Sequence, residues 1–126
     1  MVTNAHSRVL IADDHSAIRR VVRSVLSSQN IDVCAEAQDG QEAVSKAKQF
    51  HPELILLDAA MPVKNGIQAA REIKKALPAA KIIVFSVDFY TEVHAPEQGG
   101  ADAFISKASG SELVSAIQRL LGDHVH

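Results

Sequence analysis

The chain has no tryptophan, one tyrosine and one cysteine among its 126 residues. A lone Cys34 excludes an internal disulfide, and its place in the apolar stretch 31–37 reads as a buried, inert thiol. No apolar run is long enough to cross a bilayer, and residues 1–7 are too short and polar for a signal peptide. A reducing cytoplasm is the expected setting. With 13 basic and 15 acidic residues the net charge is -2, and the missing basic excess argues against direct nucleic-acid binding. His6, His51, His94, His124 and His126 lack metal-ligand spacing. Internal repeats, low-complexity segments and linkers are absent, apart from short tails at 1–7 and 123–126. The reading is one domain over 1–126, with its core at about 8–122.

What is present is an alternation of two patterns. Hydrophobic residues make up 47% of the chain, enough for an ordinary globular core. Short, unbroken apolar runs predict strands over 8–12, 31–37, 54–58, 81–86 and 103–106. Helical spacing connects them: Ile18, Val21, Val22, Val25 and Leu26 in the first helix, and Ala43, Val44 and Ala47 in the second. Ile67, Ala70, Ile73 and Leu77 follow in a third, and Leu113, Val114, Ile117, Leu120 and Leu121 in the last. Asp39 is expected to cap the second helix, and Asn65 or Gly66 opens the third. Ser109 or Ser111 caps the last, and Gly122 ends it. His51-Pro52 and Pro78 act as stops. A short or distorted helix is expected over 89–98, because Pro96 lies inside it. Strands alternating with helices through short connections imply an α/β fold: a doubly wound, five-stranded parallel sheet covered on both faces.

In such a sheet the C-terminal ends of all strands share one edge, the edge at which ligands bind. The first strand ends in Asp13-Asp14, the third in Asp58, the fourth in Ser86 and the fifth in Lys107. Two carboxylates at ~4 Å repel by about 4 kcal/mol at an effective dielectric of ~20. A hard divalent cation relieves this, and Mg2+ favours a few carboxylates completed by water and phosphate oxygens. Carboxylates, a hydroxyl and an ammonium together suit transfer of a phosphoryl group to a carboxylate. His15 could assist phosphotransfer, but it reads more readily as the surface start of a helix. Taken singly, Asp13-Asp14 or Asp58 could instead be helix caps or turn residues, Phe104 plain core, and the Met61-Pro62 and Asn65-Gly66 pairs simple turn chemistry.

In this order, Asp13-Asp14, Asp58 before Met61-Pro62 and Gly66, Ser86 and Lys107 resemble the receiver domain of bacterial two-component response regulators, across 9–121. Asp13-Asp14-His15, with a non-proline after Lys107, is similar to the subfamily whose receivers usually precede a helix-turn-helix DNA-binding domain. The resemblance implies the flavodoxin-like strand order 2-1-3-4-5. It implies Asp58 as phosphoacceptor from a sensor histidine kinase or phosphotransfer protein. It also implies Mg2+ held by Asp14, Asp58 and the Ala60 carbonyl, with Asp13 acting mainly through water. Lys107 would hold a phosphoryl oxygen, while Ser86 and Phe104 would relay the change to the surface formed by the last two helices and the fifth strand. The function implied is a signalling switch that catalyses only its own phosphorylation and dephosphorylation. Its output would be a separate effector or a fused domain, with homodimerisation on phosphorylation as a further expectation. Three departures stand out. Ala108 follows Lys107 where the family often has a cis proline, and a cis bond without proline costs roughly 2.5–4 kcal/mol. Ser86 replaces the commoner threonine, and Pro96 interrupts an output helix.

Three other functions are weighed against the switch. One alternative is a receiver cut from a longer DNA-binding transcriptional regulator, which the subfamily likeness favours. A phosphohydrolase working through an aspartyl-phosphate needs an acid shortly after its nucleophile, where Ala59 and Ala60 stand. A flavin-binding module needs a phosphate-cradling loop after the first strand, which holds two acids instead.

Overall fold

A computed structural model describes residues 8–86, 100–106 and 110–122. The helix expected over 89–98, and both Lys107 and Ala108, lie outside the described residues. The elements are β1 (Arg8–Ala12), α1 (Ser16–Ser28), β2 (Asp32–Ala37), α2 (Gly40–Phe50), β3 (Leu54–Asp58), α3 (Gly66–Ala76), β4 (Lys81–Ser86), β5 (Ala103–Ser106) and α4 (Gly110–Ile117). The five strands pair in parallel in the order β2-β1-β3-β4-β5, as expected for a doubly wound sheet.

Period-two alternation divides each strand between two cores. Leu10, Ala12, Ile55, Leu57, Ile82 and Val84 pack against the alanine-rich faces of α2 and α3. Val9, Ile11, Leu54, Leu56, Ile83 and Phe85 pack against Val22 and Leu26 of α1 and Ala116 and Ile117 of α4. All five residues of β3 are buried, so the central strand is apolar until it reaches Asp58. Fully burying one such aliphatic side chain contributes about 1.5–3 kcal/mol, which makes these two layers the main source of stability.

The helix ends follow local chemistry. Asp39 accepts from the Glu42 N–H at 2.7 Å, as its capping role requires. Asn65 and Gln68 form a reciprocal capping box at 2.8 and 3.0 Å. His51 closes α2 in the left-handed region at φ 49. After α4 the winding widens into a π turn over Gln118–Gly122, where a plain α-helical end was expected. Leu120 and Leu121 both still reach the core there, and the Gln118 amide donates to the Gln29 side chain at 3.0 Å. Cys34 corrects a second expectation: it is only half-buried, because β2 is an edge strand. Desolvation nevertheless raises its thiol pKa above the ordinary value, against the lowering influence of Arg8, so thiolate is scarce.

Candidate functional site

The alternation that places Val9 and Ile11 on one face of β1 carries Asp13 toward that face, and Leu54 and Leu56 do the same for Asp58. Ala12 pairs with Leu57, so one further step of the register sets Asp13 beside Asp58. Both are buried, at 0% and 3% exposure, while Asp14 reaches solvent. Ligand atoms of Asp13, Asp14, His15 and Asp58 all lie within 4.8 Å of one another.

The loop after β1 holds the acid pair in place. Asp13 Oδ1 accepts from the His15 N–H at 2.8 Å, making a small turn that leads into α1. His15 is the N-cap of α1 by backbone, but its side chain does no capping. Its ring turns back instead, with Nδ1 3.0 Å from Asp13 Oδ1 and 3.1 Å from Asp14 Oδ1. The expected helix start is therefore right, while the ring's place on the acid pair went unseen. A histidine directly after two acids was the available signal. Arg19 was also missed: its Nη1 donates to the Asp13 carbonyl at 2.6 Å and its Nε to Glu36 Oε1 at 2.9 Å.

The loop after β3 is built on close backbone approach. Asp58 Oδ1 accepts from the Ala60 N–H at 3.2 Å, and the Ala59 N–H donates to the Phe85 carbonyl at 2.9 Å. The Gly66 N–H then donates to the Ala59 carbonyl at 2.9 Å. A Cβ on Gly66 would lie 2.3 Å from the Asp58 carbonyl oxygen, so α3 can start this close to Asp58 only with glycine. Gly40 has the same role for α2, where a Cβ would lie 1.7 Å from the Lys64 carbonyl oxygen. Between these contacts Val63 sits at φ 68, spanned by a 2.7 Å bond from the Lys64 N–H to the Pro62 carbonyl. Met61-Pro62 is thus turn chemistry, while Asn65-Gly66 is the capped start of α3 set against the Asp58 backbone.

Ser86 is buried at the end of β4, one residue beyond Phe85, the register partner of Asp58. Phe104 on β5 pairs with Val84 on β4 and packs on the core that holds Val84. By alternation Ser86 continues the Val84 row, so Ser86 and Phe104 share a face. The site thus brings together Asp13, Asp14 and Asp58, sets Ala60 against Asp58, and places Ser86 on the neighbouring strand end. Lys107 follows Ser106, the register partner of Ser86, but lies outside the described residues.

Hard carboxylate oxygens suit Mg2+, whose opposed ligands stand about 4.2 Å apart at ~2.1 Å bonds. Donor atoms within 4.8 Å of one another fit such an ion with little adjustment. Asp13, Asp14 and Asp58 would hold it.

A family model for the response regulator receiver domain matches residues 9–118. The response regulator protein VraR of Staphylococcus saprophyticus is 36% identical over 115 residues, covering 89% of this chain and 55% of VraR. The chain therefore spans about half the length of that relative. The chemotaxis protein CheY of Thermotoga maritima is 35% identical over 115 residues, covering 90% of this chain and 96% of CheY. Among solved structures, the response regulator TrrA of Thermotoga maritima, in complex with Mg(2+)-BeF, superposes with a TM-score of 0.84 at 28% identity. That match covers 91% of this chain and 99% of TrrA.

Proposed function

The chain belongs to the response regulator receiver family of two-component signalling, and from that premise we propose that Asp58 is its phosphoacceptor. The observation that carries the reading is the meeting of Asp58 with Asp13 and Asp14 at one edge of the sheet. A carboxylate oxygen of Asp58 attacks the phosphorus of a phosphohistidine on a histidine kinase or phosphotransfer protein. The new O–P bond forms in line as the N–P bond breaks, and the imidazole leaves with its electron pair. Magnesium, when bound, supplies the positive charge that offsets the donor's phosphoryl oxygens. The Ala60 carbonyl would complete its protein ligands, and Lys107 would hold a further phosphoryl oxygen. That TrrA, a relative of the same fold, was solved in complex with Mg(2+)-BeF supports Mg2+ as the ion.

Phosphate on Asp58 is read through Ser86. Its hydroxyl donates to a phosphoryl oxygen, a charge-assisted bond worth ~1.5–3 kcal/mol. Formed in one state alone, that bond shifts a two-state equilibrium roughly ten- to a hundredfold. Drawing Ser86 inward frees space on the face it shares with Phe104, and the ring follows without burying a hydroxyl. The chain is a switch, with no reaction beyond its own phosphorylation and dephosphorylation. It works in the cytoplasm and passes its state to a separate effector or to a domain of the same polypeptide, with homodimerisation as one route. Incubation with a small acyl-phosphate donor and Mg2+ adds one phosphoryl mass, and Asp58→Asn removes it. Full labelling of that variant would overturn the assignment.

A further inference from the structure

We infer that Arg19 is a positioning residue for the cation site, gripping the peptide that joins Asp13 to Asp14. This rests on the reading that Asp13, Asp14 and Asp58 hold Mg2+. The Asp13 peptide lies where β1 has ended and α1 has not begun, so no regular hydrogen-bond ladder orients it. The preceding Ala12–Asp13 peptide is held through the Asp13 N–H, which donates to the Ala37 carbonyl at 3.0 Å. The carbonyl of the Asp13–Asp14 peptide accepts from Arg19 Nη1 at 2.6 Å. That oxygen belongs to the planar unit that runs from the Asp13 Cα to the Asp14 Cα. Holding it therefore fixes the plane from which both carboxylates project. Mg2+ demands nearly ideal octahedral geometry, so a turn of that plane misplaces two of its carboxylates at once.

Arg19 is itself braced. Its Nε donates to Glu36 Oε1 at 2.9 Å on β2, and Arg23 pairs with the other oxygen of Glu36. The Glu36 carbonyl accepts from Lys46 Nζ at 2.7 Å, which ties the brace to α2. One rigid guanidinium thus spans α1, the loop after β1, and β2. A lysine keeps the charge but cannot present two fixed donors to the two acceptors. The role is geometric, and substitution can separate it from simple charge.

The test is Mg2+ titration followed by amide NMR and calorimetry, with labelling rates measured against Mg2+ concentration. Arg19→Lys and Arg19→Met should each raise the Mg2+ dissociation constant by about tenfold or more, the usual cost of losing a supporting contact behind a ligand. Their labelling deficit should narrow as Mg2+ is raised, a split between affinity and maximal rate that a general loss of structure does not give. Arg20→Met, on the exposed side of the same helix, should bind Mg2+ as the unaltered protein does. Glu36→Gln keeps Arg19 but loosens its hold, and should weaken Mg2+ binding by a smaller factor. That variant decides the matter should the Arg19 variants not fold, because unchanged affinity in it overturns the inference. Unaltered Mg2+ affinity in Arg19→Lys, or equal weakening in Arg20→Met, also overturns it. If the unaltered protein binds no Mg2+, the reading of the site fails first and this role fails with it.

Discussion

At the scale of single residues, the site depends on small groups as much as on charged ones. Gly66 lets the first turn of α3 lie against the Asp58 and Ala59 backbone, and neither neighbour can swing aside. Gly66→Ala should cost about 1–3 kcal/mol by overpacking, read as a lower urea midpoint, and should slow labelling at Asp58. The two acids of the first loop should differ as well. Asp14→Asn should weaken Mg2+ binding more than Asp13→Asn without unfolding the protein, since each change also relieves repulsion. A larger loss in Asp13→Asn, by titration, would reverse the two roles. Asp13, Asp14, Asp58 and Ser86 were legible because each ends an apolar run, and a strand end is visible in one dimension. Arg19 was not, because it stands six residues past Asp13 on a helix whose facing was known only from its apolar stripe. The half-buried state of Cys34 was hidden for a related reason. An apolar run does not say which strand is the edge of the sheet.

Among the elements, the boundaries of β1, β3, β4 and β5 matched their runs, since turn formers and charges end each one sharply. The capping role of Asp39 was also legible, being local chemistry within four residues, whereas the third helix was expected only to open at Asn65 or Gly66, and Asn65 proves to be its cap. The π turn after α4 was not, because its leucine spacing fits an ordinary helix equally well. The brace joining α1 to β2 gives an acid-side prediction. Desolvation raises the Glu36 pKa, but the hydrogen bonds and charges of Arg23 and Arg19 outweigh it and leave it below the usual carboxylate value. A carboxylate depressed in the folded state contributes stability in full above its unfolded pKa of ~4.3, and loses it as pH falls through the lower folded value. Urea midpoints followed from neutral pH down to pH ~3 should therefore fall less steeply for Glu36→Gln than for the unaltered protein. Parallel curves would show that the Glu36 pairs make no difference to folding.

For the whole molecule, the doubly wound arrangement was legible from the alternation of short apolar runs and helical stripes. The strand order came from the family resemblance, and the observed order agrees with it. That order puts β1 and β3 side by side, which makes one site of Asp13, Asp14 and Asp58. It also puts β4 beside β3, so that Ser86 directly follows Phe85, the register partner of Asp58. Ser86→Ala should still accept phosphate, but amide shifts near Phe104 should respond to beryllofluoride less than in the unaltered protein. Equal shifts would show that the hydroxyl is not the relay. The central claim is that the group is carried on Asp58, and reductive mapping tests it most directly. Borohydride cleaves an aspartyl-phosphate to homoserine, which marks the position in a peptide mass spectrum. After labelling with an acyl-phosphate donor and Mg2+, homoserine should appear at position 58 alone. Homoserine at position 13 or 14, with position 58 still aspartate, would contradict the account.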